Sequence, residues 1–272
     1  AAYQLAKRGV RVKLYEMRPK KYPPAHRTSK LAELVCSNSL GSDMLSSPAG
    51  ILKAEMRALD SLIIKCADLH KVPAGWALAV DREAFSEEVT SRISSIPLIE
   101  IVIEEVTRIE GGPAIIATGP LTSTALTSSL KEMVGKGFLY FYDAVAPVVL
   151  RETINMDIAF YGSRYGHGED YINCPLTEEE YQRFYEALIN AEVAARHDFE
   201  EERFFEGCLP IEVIAKRGRD ALRFGPMRPV GIKDPRTGKE PYAVVQLRQD
   251  DKEGRLYNMV GFQTNLRWSE QD

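Results

Sequence analysis

Three features of the chain predict an α/β fold. Residues 1–16 read as the end of a helix, AAYQLAKRG, followed by a strand, VRVKLYE, that closes on Glu16. Residues 114–118 form a short, wholly apolar run that enters Thr118-Gly119-Pro120. Near Cys174 the chain changes character, to a capping-box helix and then short β-like runs divided by Gly, Pro and Arg loops. Together they describe a doubly wound, Rossmann-like domain over residues 1–171 and an α+β insertion domain over residues 172–272.

The first unit rests on residue chemistry. AAYQLA is built from helix formers, and Gly9 stands where a glycine cap closes a helix. Val10, Val12 and Leu14 then alternate with polar residues, the pattern of a half-buried strand. In βαβ dinucleotide folds an acidic residue about twenty positions beyond a glycine-rich turn hydrogen-bonds the adenosine ribose. Glu16 would stand at that distance if such a turn lay just before Ala1; the plainer reading is a strand that ends in Glu. A chain that starts within a helix and without Met is expected to be a fragment.

Residues 17–50 are rich in Pro, Ser and Gly and read as loop. Residues 51–68 read as one helix, with Leu52, Met56, Leu59, Ile63 and Cys66 on a single apolar stripe, which puts the Cys66 thiol in the core. Residues 81–96 read as another, with Asp81 as its N-cap. Residues 98–109 and 114–118 read as strands around Gly111-Gly112-Pro113, the second of them buried and parallel. Gly119 after it would let the backbone approach a ligand at the strand's carboxyl end. Thr177 and Glu180 form a capping box that opens a helix to about residue 196, and residues 243–247 and 256–262 read as strands.

With 44% hydrophobic and 27% charged residues in 272, the chain has the composition of a globular protein with a sizeable core. No apolar run approaches the ~18 residues of a membrane span, and no signal peptide is visible. Four cysteines, at 36, 66, 174 and 208, form no CxxC pair or zinc spacing, which suggests a reducing compartment and a cytoplasmic protein. His167 and His197, thirty residues apart, lack partners for a metal or base role. The net charge of −4 hides an asymmetry: residues 176–206 carry ten acidic and three basic side chains, residues 215–240 eight basic and three acidic. Such a basic stretch is either a solvated loop or a patch for a polyanion.

Taken in order, LYEMRP, VCSNSLGSD, GILKAEMRALDSLI, IIATGPLTS, YINCPLTEEEY, FFEGCLPIEVIAKRG, ALRFGPMRPVGI and VGFQTNL closely resemble the folate- and FAD-dependent tRNA uracil-5-methyltransferases of bacteria. The likeness covers essentially the whole chain. GILKAEMRAL also resembles the related GidA-type tRNA-uridine-modifying flavoproteins, while CSNS and GCLP favour the methyltransferase branch. The resemblance implies that the T-loop uridine of tRNA is methylated at C5. The carbon would come from 5,10-methylenetetrahydrofolate, with reducing equivalents from FAD regenerated by NAD(P)H. It also implies that further chain at both ends completes the flavin site, so residues 1–272 alone would bind FAD poorly.

The implied chemistry can be checked against residue types. C5 of uracil is a poor nucleophile until a thiolate adds at C6 and turns C5 into an enolate carbon. A cysteine of ordinary pKa ~8.5 is roughly 3% thiolate at pH 7, so a neighbouring positive field matters. Cys36 in VCSNS and Cys208 in EGCLP match the family's reactive positions. Cys208, just ahead of the basic segment 216–219, is assigned the C6 attack, and Cys36 proton transfer or handling of the one-carbon unit; sequence alone leaves the two roles exchangeable. Glu16 matches the ribose-binding acid, and Thr118 and Gly119 are expected near the FAD. Asn38 and Ser39 either line the flavin pocket or cap loops. Arg217, Arg219, Arg223 and Arg228 are either phosphate contacts or solvated. Cys174 is expected to be structural. A GidA-like wobble-uridine modifier and a non-catalytic tRNA-binding fragment are the rival readings, and no metal or membrane partner is expected.

Overall fold

The computed structural model describes residues 1–23, 25–119, 122–134, 146–164, 168–194 and 209–271. Helix α1 (Ala2–Ala6) passes through Gly9, at φ +82°, into strand β1 (Val12–Glu16). That positive φ is the left-handed turn a side chain disfavours, as the glycine signalled. Strands β2 (Ser39–Ser42), β3 (Lys71–Val72) and β4 (Ala77–Val80) form a small antiparallel sheet in the order β2-β4-β3. Strand β5 (Ile99–Ile103) lies parallel to β1, with Val12 opposite Ile99 and Glu16 opposite Ile103.

Residues 51–68 are not one helix. Helix α2 (Pro48–Ala58) and helix α3 (Leu62–Leu69) are separated by Asp60, at φ +62°. Asp60 pairs with Lys7 and Lys65, and Ser61 caps α3 by accepting from the Ile64 amide. The break rotates the expected stripe apart: Leu52 is 56% and Leu59 74% exposed, whereas Cys66 is fully buried. Cys66 thus is the core thiol expected, and burial pushes its pKa up. Helix α4 (Arg82–Ser94) is capped as expected by Asp81, which accepts from the Ala84 amide at 2.9 Å. Phe85, Val89 and Ile93 face the core with Leu62, Ile64, Leu78 and Ile99.

Two strand expectations fail beyond β5. The strand ends at Ile103 rather than 109, and residues 114–118 form no strand, with Ile115 66% and Ile116 46% exposed. An apolar run becomes a strand only where a neighbour takes its backbone N–H and C=O groups, and the described residues offer it none. Helix α5 (Thr124–Val134) follows.

Strands β6 (Val148–Leu150), β7 (Phe160–Gly162), β8 (Tyr171–Leu176), β9 (Ala243–Gln249) and β10 (Leu256–Met259) form an antiparallel sheet in the order β6-β10-β9-β8-β7. It draws strands from both sides of residue 172. One face is apolar, with Ile172, Leu247 and Tyr257 clustered on Ala159. The other carries Tyr171, Asn173, Gln246, Arg248 and Asn258, all but Tyr171 buried. Helix α6 (Glu178–Asn190) opens on the expected capping box of Thr177 and Glu180 and ends six residues before the predicted limit. With α7 (Ile211–Ala215) and α8 (Ala221–Phe224) it encloses a second core of Tyr181, Leu188, Ile211, Leu222, Met227 and Phe262.

Candidate functional site

Cys36 is half-buried in the turn that leads into β2. Its flanks are tied down from two directions. Upstream, Arg82 at the start of α4 donates through Nη1 to the Leu34 carbonyl at 3.1 Å and through Nε to Asp250 at 2.9 Å. Downstream, Arg248 of β9 donates through Nη2 to Ser37 Oγ at 2.6 Å and through Nε to Asn38 Oδ1 at 2.8 Å. Asn38 is fully buried, and its amide donates to the carbonyls of Val80 at 3.0 Å and Gln249 at 2.8 Å. Of the two readings open for Asn38, this geometry fits the loop-holding one: a side chain with no exposed surface and both N–H groups spent does not line a pocket. Ser39 is half-buried, pairs with Ala79, and accepts from the Gly41 amide at 3.1 Å, so it too caps its own turn.

Glu16 lies at the carboxyl end of β1. Its Oε1 accepts from the backbone N–H of Arg18 at 2.9 Å and from Arg18 Nε at 3.0 Å, and its Oε2 from Nη2 at 2.9 Å. Arg18 is buried and also donates to Glu33 at 2.7 Å and to the Thr28 carbonyl at 3.1 Å. Burial would raise the Glu16 carboxyl, but the hydrogen bonds and charge of Arg18 outweigh it and hold it below the usual range. His26, beside this cluster, is pushed down by burial and then by the Arg18 charge, so its neutral form is favoured. The Glu16 side chain keeps 17% of its surface open. A carboxylate with lone pairs to spare at the end of a parallel strand suits a ribose hydroxyl.

Thr118 and Gly119 are exposed; Thr118 Oγ1 lies 2.5 Å from Thr122 Oγ1, which donates to the Gly119 carbonyl at 2.9 Å. Gly119, at φ +71°, faces open space where a Cβ would stand, so a ligand can approach its backbone closely. Cys208, His167 and His197 lie outside the described residues. Its near neighbour Ile211 begins α7, where Glu212 is buried and accepts from Thr264 Oγ1 and the Asn265 amide, each at 2.9 Å.

Among the four arginines, Arg217, Arg219 and Arg228 are exposed, and Arg219 pairs with Glu178 at 3.0 Å. Arg223 differs: it is half-buried, donates to the Tyr242 carbonyl at 2.9 Å, and stacks 4.4 Å from the Tyr242 ring centroid. Sequence reading missed Arg18, Arg82 and Arg248. The alternation Gln246-Leu247-Arg248 in β9 carried a signal for one polar face, but nothing in it said that face is buried. Cys174, on β8, is half-buried, and burial pushes its thiol up. Among the described residues no group of three or more His, Cys, Asp or Glu could hold a metal ion, and no helix is long and apolar enough to cross a membrane.

The chain thus combines a mixed α/β fold, a parallel β1–β5 pair with an acid at its carboxyl end, and a cysteine turn clamped against an antiparallel sheet. The family model described as Glucose inhibited division protein A matches residues 1–272, and the chain belongs to that family. Within it, the chain is similar to the Methylenetetrahydrofolate--tRNA-(uracil-5-)-methyltransferase TrmFO of Bacillus licheniformis, 59% identical over 272 residues. The proteins of the same name from Bacillus subtilis and Listeria monocytogenes are 60% and 59% identical over the same 272 residues. All of this chain is covered in each case, but it spans only 62–63% of those relatives' own length.

Proposed function

We propose that this chain forms the larger part of a flavoprotein that transfers a one-carbon unit from 5,10-methylenetetrahydrofolate to C5 of the T-loop uridine in tRNA. The observation that carries the reading is the match along all 272 residues to relatives named for that reaction. The FAD-binding domain expected over residues 1–171 and the tRNA-meeting insertion expected over residues 172–272 would then share the antiparallel sheet, whose strands β6 and β7 precede residue 172 and whose strand β8 crosses it. Glu16 would accept from the ribose of FAD and the Thr118-Gly119 backbone would approach it; bound, the flavin supplies reducing equivalents drawn from NAD(P)H. The protein would work in the cytoplasm.

Cys208 would attack C6, the sulfur–carbon bond forming as the C5–C6 π electrons move into the enolate. C5 then attacks the folate-borne methylene; loss of the C5 proton expels tetrahydrofolate and leaves an exocyclic methylene, and addition of a hydride equivalent, which the flavin would supply when bound, makes the methyl and returns the enolate that expels the thiolate. Cys36 would hold or pass a proton, or handle the one-carbon unit. With the full-length enzyme, 5-fluorouracil-containing T-loop RNA should trap a covalent adduct, and Cys208→Ala should abolish it. An adduct that survives Cys208→Ala and disappears in Cys36→Ala would exchange the two roles. If the labelled carbon from methylenetetrahydrofolate instead appears on a wobble uridine after tRNA digestion, the GidA-like alternative replaces this one.

The exposed arginines Arg217, Arg219 and Arg228 would contact phosphates, the Arg219–Glu178 surface pair being weak enough to exchange. Removing one true contact should make the slope of log K against log[salt] less negative by about 0.7 to 0.9. Arg223, committed to Tyr242, should change stability rather than slope. Unaltered slopes in all three exposed variants would remove these residues from the interface.

A further inference from the structure

We infer that Arg248, supported by Arg82, is the positioning residue for Cys36, so that the antiparallel sheet sets the geometry of a thiol that belongs to the first unit. Cys36 hangs between two attachment points, Leu34 and Ser37, and each is held by a buried or largely buried guanidinium. Arg248 is 94% buried by its 6% exposure, and in a single fork it satisfies Ser37 and Asn38. On β9 it stands directly between Tyr171 of β8 and Asn258 of β10, so the strand register fixes where its stem leaves the sheet. Asp250, two residues on along the same chain, anchors Arg82, so both clamps run to the same end of β9.

The physical reason is the rigidity of the fork. A guanidinium presents its donors in one plane, and acceptors on two adjacent residues meet it in a narrow range of loop conformations. Leu34 and Leu40 pack against the first core on either side of the turn, and between these two anchors the hydrogen bonds of Arg82 and Arg248 set its shape. A movement of the sheet would be passed to the thiol through Arg248, and a movement of the loop would cost this buried guanidinium two of its acceptors.

The inference deepens the reading of Cys36 as a working thiol and takes its functional weight from that reading. Its test does not, because alkylation requires neither RNA nor flavin. The rate of iodoacetamide alkylation at Cys36 would be followed by peptide mass spectrometry in the full-length protein, with Cys174, on the opposite face of the same sheet, as the internal reference. Arg248→Gln and Asn38→Ala should each change the Cys36 rate by about fivefold or more while Cys174 holds its parental rate, and the double variant should fall well short of the product of the two changes, because the two residues share a contact. Arg248→Lys, which keeps a donor but not the fork, should recover part of the change. Ser37→Ala, the gentlest cut, gives a smaller change in the same direction even if Arg248→Gln fails to fold. A parental Cys36 rate in folded Arg248→Gln, additive effects with Asn38→Ala, or equal changes at Cys36 and Cys174 would overturn the assignment.

Discussion

Gly50→Ala should destabilise this protein by about 2–3 kcal/mol, where the same change in an ordinary helix interior would stabilise it by about 1. A Cβ on Gly50 would stand 1.9 Å from the Met44 carbonyl oxygen and 2.8 Å from the Met44 amide nitrogen. Both are backbone atoms, so no rotamer relieves the clash; the segment itself must move. Met44 is also where Ser47 donates, through its backbone N–H and its hydroxyl, each at 2.9 Å, and Ser47 in turn caps α2 by accepting from Gly50. The substitution therefore strikes the cap and the turn together. For a chain of this size each kcal/mol moves the midpoint by about 2–4 °C, so thermal unfolding should fall by about 4–12 °C. An unchanged or raised midpoint would mean the turn relaxes at little cost. Since β2 connects this turn to Cys36, the variant should also disturb the cysteine turn.

Local signals in the chain were legible wherever one or two residues decide the structure. Gly9 closes α1, Asp81 caps α4, the Thr177–Glu180 box opens α6, and Cys66 is in the core. Each depends on chemistry within a turn or so of the residue itself. Illegible were features decided by distant partners. Helix period alone placed Leu59 inside, but two lysines drawn to Asp60 and the cap at Ser61 favour a break there. Residues 115 and 116 have the composition of a buried strand, but no strand lies beside them among the described residues. For the candidate site the asymmetry is sharper. The acid at the end of β1 and the cysteine turn were visible as motifs, whereas the arginines that hold them were not. Arg18 is the middle residue of a loop-like Met-Arg-Pro, and Arg248 sits in a strand whose polar positions read as solvent-facing. A charged residue at such a position is normally exposed. Only the tertiary fold reveals that each has been buried with its own acceptors.

Arg18→Met should be costlier still at neutral pH. The guanidinium, 5% exposed, is shared by Glu16 and Glu33, whose side chains are 17% and 12% exposed. Methionine fills the stem but removes the cation, leaving two carboxylates facing each other at low exposure. Breaking a buried pair from one side costs about 3–5 kcal/mol. The pH dependence separates this cause from simple loss of packing. In the parent protein Glu16 is held below its ordinary value of 4.5, so its contribution is fully present above that pH and is lost as the pH falls through the folded-state value. In the variant the guanidinium's hydrogen bonds and charge are gone and only the backbone N–H of residue 18 still opposes burial, so Glu16 should rise from its parental value, and its penalty is felt at neutral pH and relieved on protonation. The gap in unfolding free energy between parent and Arg18→Met should therefore be widest near neutral pH and shrink as the pH falls below about 4.5. Denaturant unfolding at a series of pH values measures it. A gap that stays constant with pH would mean that Arg18 acts by filling space rather than by holding the carboxylates. Because the same bonds orient Glu16 at the end of β1, the full-length variant should also retain less flavin, and restoring Arg18 as Lys should recover little of it, since a single ammonium cannot span both carboxylates as the fork does.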